Sequence, residues 1–205
     1  MKTKFLFLYL LLLLSKNLLA KDYDLSNIFT QSFNFEAEIL VVPANFKNSW
    51  INETRVIERN SSGVKVEDKD YENGNLKEIE YQWYDKNGIR IKYKDSSDEE
   101  FSIKNQDYNA SFKNLGIGDK GVLPTLYSNK GNKIKSNWKF FKEKEKLCLK
   151  IENTYFTSNN NIHEVIEYNY YLDEKGKIGS FLFNYYNGNK LLHLLEVKSK
   201  TINYI

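Results

Sequence analysis

The residues able to do chemistry are few in this chain, and their spacing decides what they can form. His163-Glu164-Val165-Ile166-Glu167 opens like a zinc-protease helix, but Glu167 stands where the second imidazole must be. His193 and Cys148 complete the His and Cys inventory. They share no ligand spacing with His163, and a zinc site needs three or four ligands, so no metal is expected. A nucleophilic triad would have to bring His163 or His193 to a serine or to Cys148, and no G-x-S-x-G elbow marks one. Catalytic residues are therefore expected to be absent.

Two further motifs fail on context. Gly116-Ile117-Gly118-Asp119-Lys120-Gly121 is a literal G-x-G-x-x-G, yet no convincing strand precedes it and Pro124 and Gly131 block the helix that must follow. It reads as a glycine-rich turn, and no cofactor is expected. Asp95-Ser96-Ser97-Asp98-Glu99-Glu100 offers carboxylate oxygens that suit calcium but lacks the glycine and spacing of a dedicated loop. It reads as a solvated turn between strands. Cys148, between Leu147 and Leu149, reads as a small packed hydrophobe.

The positive signal is aromatic. Outside residues 1–20 the chain carries 28 Phe, Tyr and Trp residues, half of them tyrosines. Placed on the inner faces of curved sheets, such residues fill a core or line a cavity with their polar tips at its mouth. Phe33, Phe35, Tyr81, Trp83, Tyr168 and Phe183 are the candidates for contact with an apolar or lipidic ligand.

The elements that must position them alternate with period two. Phe33, Phe35, Ala37, Ile39 and Val41 alternate with Asn34, Glu36 and Glu38 until Pro43. Similar alternations place Ile79, Tyr81 and Trp83 on one face opposite Glu78, Glu80 and Gln82, and Ile89, Ile91 and Tyr93 opposite Arg90 and Lys92. Others run through Leu147–Ile151, Ile166–Leu172 and Phe181–Tyr185. In a final alternation after these, Leu191, His193, Leu195 and Val197 share a face. Asn73-Gly74, Asn87-Gly88, Lys175-Gly176 and Asn187-Gly188 supply hairpin turns between them. The fold class is mainly β: an antiparallel meander of about nine to eleven strands forming a curved sheet, open barrel or sandwich. At most a short helix is expected, over 24–29. The glycine-, asparagine- and lysine-rich span at about 105–137 reads as a long connection, either a lid or a surface arm.

Residues 1–20 form a domain of their own kind. Lys2 and Lys4 precede the apolar run Phe5–Leu14, Ser15-Lys16-Asn17 breaks it, and Leu18-Leu19-Ala20 offers a cleavage site. Ten apolar residues fall short of the roughly 20 that a spanning helix needs, so no transmembrane anchor is expected after cleavage. Of the 30 basic residues the segment removes three lysines and no acid, leaving 27 basic against 27 acidic ones in 21–205. That formal neutrality lacks the electrostatic footprint of phosphate-backbone binding, so nucleic acid is not an expected partner. One cysteine permits no intramolecular disulfide, and 21–205 reads as a single β domain stabilised by its core.

Together these features describe a periplasmic or secreted protein that binds and does not catalyse, its aromatic strand faces holding an apolar or lipidic ligand. One alternative is an envelope or host-interaction protein that works without a cavity. Another is a small secreted hydrolase using His163 or His193. A transmembrane barrel is disfavoured by strands of five to seven residues, where about 9–11 are needed, and by the charges of Lys142–Lys146. N-terminal sequencing of the protein from its own cells should begin at Lys21 or within a few residues of it; Met1 on a membrane-bound form would overturn the export reading.

Overall fold

Asparagine, aspartate and glycine set the turns. Asn73-Gly74 takes φ of 52° and 79°, the paired positive values of a two-residue hairpin whose twist matches that of its strands. A second device recurs three times. Asp85, Asp95 and Asp173 each accept, through Oδ1, the backbone N–H groups two and four residues further on, at 2.8–2.9 Å. The acidic stretch at 95–100 is thus a hairpin turn organised by Asp95, and Glu99 accepts from Lys130 Nζ at 3.3 Å and Asn132 Nδ2 at 3.0 Å.

These turns connect an up-and-down meander. The computed structural model describes residues 22–104, 108–188 and 192–205, so the expected export segment lies outside the described residues. The strands are β1 Phe33–Val41, β2 Phe46–Asn60, β3 Gly63–Glu72, β4 Asn75–Asp85, β5 Arg90–Lys94, β6 Glu100–Ile103, β7 Lys120–Val122, β8 Leu126–Ser128, β9 Lys133–Glu143, β10 Lys146–Phe156, β11 Ile162–Leu172, β12 Ile178–Asn187 and β13 Leu192–Tyr204. All pairings are antiparallel. β1 to β6 follow in order, then β8 to β13, and the whole of β1 pairs with β13. The result is a closed twelve-stranded β-barrel, with β7 an additional short strand on β9.

The antiparallel β expectation holds, and the structure extends it by closing the barrel. Several finer expectations need correction. Among the described residues the strands number thirteen, and most run nine to fifteen residues because the bulges and the polar face of β3 and β4 hid their true lengths. The allowance of at most a short helix over 24–29 is consistent with what is found, turns in which Ile28 N donates to Leu25 O and Thr30 N to Asn27 O. The span 108–137 is not a structureless connection, since β7, β8 and the start of β9 lie within it.

Long strands remove one objection to a membrane barrel, but the outer face supplies a stronger one. Mid-strand outward positions carry ion pairs such as Lys69–Glu67 at 2.7 Å and Lys150–Glu167 at 2.9 Å. A basic side chain on a lipid-facing strand costs about 2–4 kcal/mol at the bilayer midplane. No helix among the described residues is long and apolar enough to cross a membrane.

Twelve strands enclose more space than side chains alone fill, since about eight suffice for a packed interior. One end of the barrel is closed by two segments that cross it. Tyr23 pairs with Leu115, Leu25 N donates to Phe112 O at 2.7 Å, and Phe112 N donates to Asn87 O at 3.2 Å. Leu25, Ile28, Phe112 and Leu115 are buried there among Ile89, Phe140, Leu149, Leu172 and Ile178, forming the main core. The glycine-rich motif belongs to this cap: Gly116 N donates to Asp119 Oδ2 at 2.8 Å, and a Cβ on Gly121 would lie 2.8 Å from Trp138 Nε1. Its glycines serve a turn and an indole.

The cap rests on the β4–β5 turn through Gly88. Its φ of 79° favours glycine, and a Cβ there would stand 2.4 Å from Ser26 O. Gly74 has the same φ of 79° with nothing within 4 Å. Gly74→Ala should therefore cost only the left-handed backbone strain, about 1–3 kcal/mol, whereas Gly88→Ala should cost clearly more because the cap must also move. Equal losses in urea denaturation would show that residues 22–31 do not dock on this turn.

Candidate functional site

Above the cap the barrel holds a cavity of about 580 Å³, within the range of small-molecule sites. Its two sides differ in chemistry. One side is aromatic, built by the alternation of β1, β11 and β12. Cross-strand partners Tyr170↔Phe181 and Tyr168↔Phe183 share the inner face, as do Phe181 and Phe183 two residues apart. Phe181 stacks on Phe183 at 4.3 Å, Tyr168 meets Phe183 edge-on at 4.7 Å, and Phe35 meets Phe181 at 4.4 Å and Trp50 at 5.2 Å.

The other side is polar and acidic. Cross-strand partners Phe35↔Asn52↔Asp70↔Glu78 and Phe33↔Thr54↔Asp68↔Glu80 form two rows running from β1 to β4. Asn52 Nδ2 donates to Asp70 Oδ1 at 2.7 Å, Thr54 Oγ1 to Asp68 Oδ1 at 2.7 Å, and Gln82 Nε2 to Asp68 Oδ2 at 2.6 Å. Tyr84 Oη and Arg90 Nη1 both donate to Gln82 Oε1, at 2.7 and 3.4 Å, and Tyr93 Oη donates to Glu80 Oε1 at 2.5 Å. Neutral amides and hydroxyls thus hold the carboxyls in place.

Burial governs their ionisation. Desolvation pushes Asp70 up to about 7 and Glu80 up to about 8, and it raises Asp68 as well. The hydrogen bonds from Asn52 and Tyr93 act in the opposite sense and are outweighed, while neighbouring carboxylates add to the rise.

Four of the six aromatic candidates meet at this cavity: Phe33, Phe35, Tyr168 and Phe183. Tyr81 and Trp83 do not. β3 enters the barrel wall with Val64 and Val66 buried, and its pairing with β4 matches Val64 to Tyr84, Val66 to Gln82 and Asp68 to Glu80, which turns the even-numbered residues of β4 inward. The expectation that Ile79, Tyr81 and Trp83 face the core and Glu80 faces water is therefore reversed. Lysines cover the outward rings: Lys65 Nζ lies 4.8 Å from the Tyr81 ring and 5.0 Å from Trp83, and Lys92 Nζ lies 4.7 Å from Trp83. The lysine stems shelter the rings and the ammonium groups meet their faces.

A bulge accounts for Arg90. Trp83 pairs with Lys92 but Tyr84 pairs with Arg90, so Ile91 is the extra residue and the expected Ile89-Ile91-Tyr93 face is split. Arg90 and Tyr93 both reach the cavity. A second bulge, at Leu194, separates His193 from Leu195 and Val197: His193 pairs with Tyr186 and stacks on its ring at 4.9 Å, with Nε2 unpartnered.

Neither histidine lines the cavity, and His163 is exposed at the start of β11. Among the described residues, no hydrogen bond joins either imidazole side chain to a serine, threonine or carboxylate, and no three His, Cys, Asp or Glu residues gather in metal-ligating geometry. Cys148 is fully buried away from the cavity, and burial pushes its thiol up to about 12.

The acids, Arg90 and Trp50 were missed by the search for apolar alternation. A signal for two of them was present, since the period that places Val64 and Val66 inside continues in phase to Asp68 and Asp70.

Glu80 and Asp70 give the protein a specific pH dependence. The folded chain keeps their protons at a pH where the unfolded chain has released them, near the ordinary 4.5 and 3.8. Their contribution to stability is complete below that range and is lost as pH rises through about 7 and about 8. Glu80→Gln keeps an acceptor for Tyr93 and removes one proton site, so thermal melts should show its loss of stability from about pH 5 to pH 8 reduced by roughly 1–3 kcal/mol relative to the parent. An unchanged slope would place Glu80 in water.

Compared with known proteins, the chain matches no protein-family model and no curated protein sequence, so its function has to be inferred from the cavity's own geometry and charge.

Proposed function

We propose that this chain is an exported, non-catalytic binding protein of a bacterial cell envelope whose barrel holds one small amphipathic molecule. The observation that carries the reading is the cavity of about 580 Å³ with an aromatic side and a hydrogen-bonding side. An apolar body against Phe35, Phe181 and Phe183 leaves water for a surface that needs no hydrogen bonds. The polar end then meets Asn52, Asp70 and Glu80, which can accept or, when protonated, donate. A wholly apolar ligand would leave that side unsatisfied, so the expected lipidic ligand becomes one with a distinct polar head.

Export rests on the charge and apolar pattern of residues 1–20, and the bacterial setting on a domain of this size with a single cysteine. A scaffold acting through its outer surface would need no such interior, and a hydrolase built on His163 or His193 would need that imidazole at the cavity. The closed barrel, the cap at one end and the two unlike sides favour a carrier over both.

Native mass spectrometry of the protein from its own envelope should show an added small-molecule mass that organic extraction removes. Ile166→Trp, which adds an indole where Ile166 lines the cavity, should lower the bound fraction several-fold while leaving the melting transition cooperative. The bare polypeptide mass before and after extraction would sink the carrier reading.

A further inference from the structure

The charge in the cavity is lopsided. Asp68, Asp70, Glu78, Glu80 and Glu164 line it against one guanidinium, Arg90. Among the described residues no lysine or arginine stands within ion-pair reach of any of these five acids. Arg90 is committed elsewhere, with its Cζ 5.2 Å from the Tyr93 ring centroid and Nη1 donating to Gln82. Glu164 accepts from Tyr185 Oη at 2.8 Å, so like the acids of β3 and β4 it has a neutral donor and no cationic partner; the β3–β4 acids form the denser cluster.

Fold stability does not explain that cluster. Apolar side chains of similar volume would fill a barrel wall at lower desolvation cost, as buried ionic groups replaced by hydrophobes commonly show. The aromatic side offers nothing anionic or cationic to the acids, but ring faces attract cations too. Both sides of the same cavity therefore favour positive charge, by different physics.

Resting on the carrier reading above, we infer that the ligand is a cationic amphiphile, an alkyl- or arylalkyl-ammonium whose head sits between Asp70 and Glu80 and whose body lies against Phe35, Phe181 and Phe183. The ammonium supplies the counter-charge that the protein withholds. Its approach lowers the proton affinity of acids that burial otherwise keeps protonated, so they meet it as carboxylates. Asn52, which donates to Asp70, and Tyr93, which donates to Glu80, hold both acceptors in position. An anionic head would face the same carboxyls, and the one cavity cation, Arg90, is already held by Gln82 and the Tyr93 ring.

The test is calorimetric titration of the exported protein, stripped of small molecules, with octylamine, 1-octanol and octanoate near neutral pH. Their chains are alike and their heads differ in charge. Octylamine should bind at least about tenfold more tightly than octanol, the gain expected for a charge meeting a poorly solvated opposite charge, and octanoate should bind most weakly. Asp70→Asn with Glu80→Gln should abolish the amine's advantage while octanol still binds, which also reports that the barrel is intact. Equal binding of amine and alcohol, or an advantage that survives both substitutions, would overturn the inference and leave the carrier reading standing. Failure of all three to bind the unmodified protein would remove the carrier reading as well. The ranking in the unmodified protein tests the charge preference whether or not the double variant folds.

Discussion

The pairing of β1 with β13 is the constraint on which the rest of the molecule depends. Phe33↔Tyr204 through Val41↔Leu195 joins the two ends of the described chain and converts a sheet with two free edges into a closed wall. Closure gives every strand an inside and an outside, and with twelve strands the inside is too wide for side chains alone to fill. A cap across one end follows from that width. Without Leu25, Ile28, Phe112 and Leu115 the lower core residues would meet water through the open end of the tube. The cavity is what remains between the cap and the far turns.

Within that space, the two sides answer different physical demands. Phe35, Phe181, Phe183 and Tyr168 contact one another at 4.3–4.7 Å and keep the aromatic side continuous across β1, β11 and β12. The polar side cannot rely on burial and is held by explicit bonds: Asp68 accepts from both Thr54 and Gln82, and Gln82 accepts in turn from Tyr84 and Arg90. A partly satisfied network would be costly in a low-dielectric interior, so each of these donors has a defined purpose. Arg90 reaches this network through the bulge at Ile91, a local irregularity that re-aims one side chain without breaking the ladder.

The legible and illegible parts of the sequence divide along the same line. β1 was legible because its inner face is apolar and its outer face polar, the pattern that alternation detects. The aromatic ladder of β11 and β12 was legible for that reason, and Phe33, Phe35, Tyr168 and Phe183 were found with it. β4 was misread because both of its faces carry large side chains and its inner face is the polar one, so hydrophobic alternation chose the wrong side and put Tyr81 and Trp83 in the core. Closure was not legible, since nothing local in β1 or β13 states that they pair. Nor were the bulges at Ile91 and Leu194, which shift the phase by one residue in the middle of a regular pattern and thereby moved Arg90 in and His193 out. The Asp-led turns at Asp85, Asp95 and Asp173 repeat one recognisable arrangement, an acid whose carboxylate organises the four residues after it, and that arrangement could have fixed three strand boundaries directly.

The same closure orders events in time. A polypeptide leaves the ribosome from its N-terminus, so the cap residue Leu25 and the Phe33–Phe35 face of β1 are made long before β13 exists to cover them. Neighbouring hairpins can form as they emerge, because their contacts are local, but the β1–β13 seam joins residues almost the whole chain apart and is slow to close. Until it closes, Asp70 and Glu80 are hydrated and lack the desolvation that raises them in the folded barrel. Sealing the seam, burying Asp70 and Glu80 and raising their proton affinity are therefore one late event, completed only after the last strand is released, and a chain cut short within β13 would present a sticky, charged, half-rolled sheet to its surroundings.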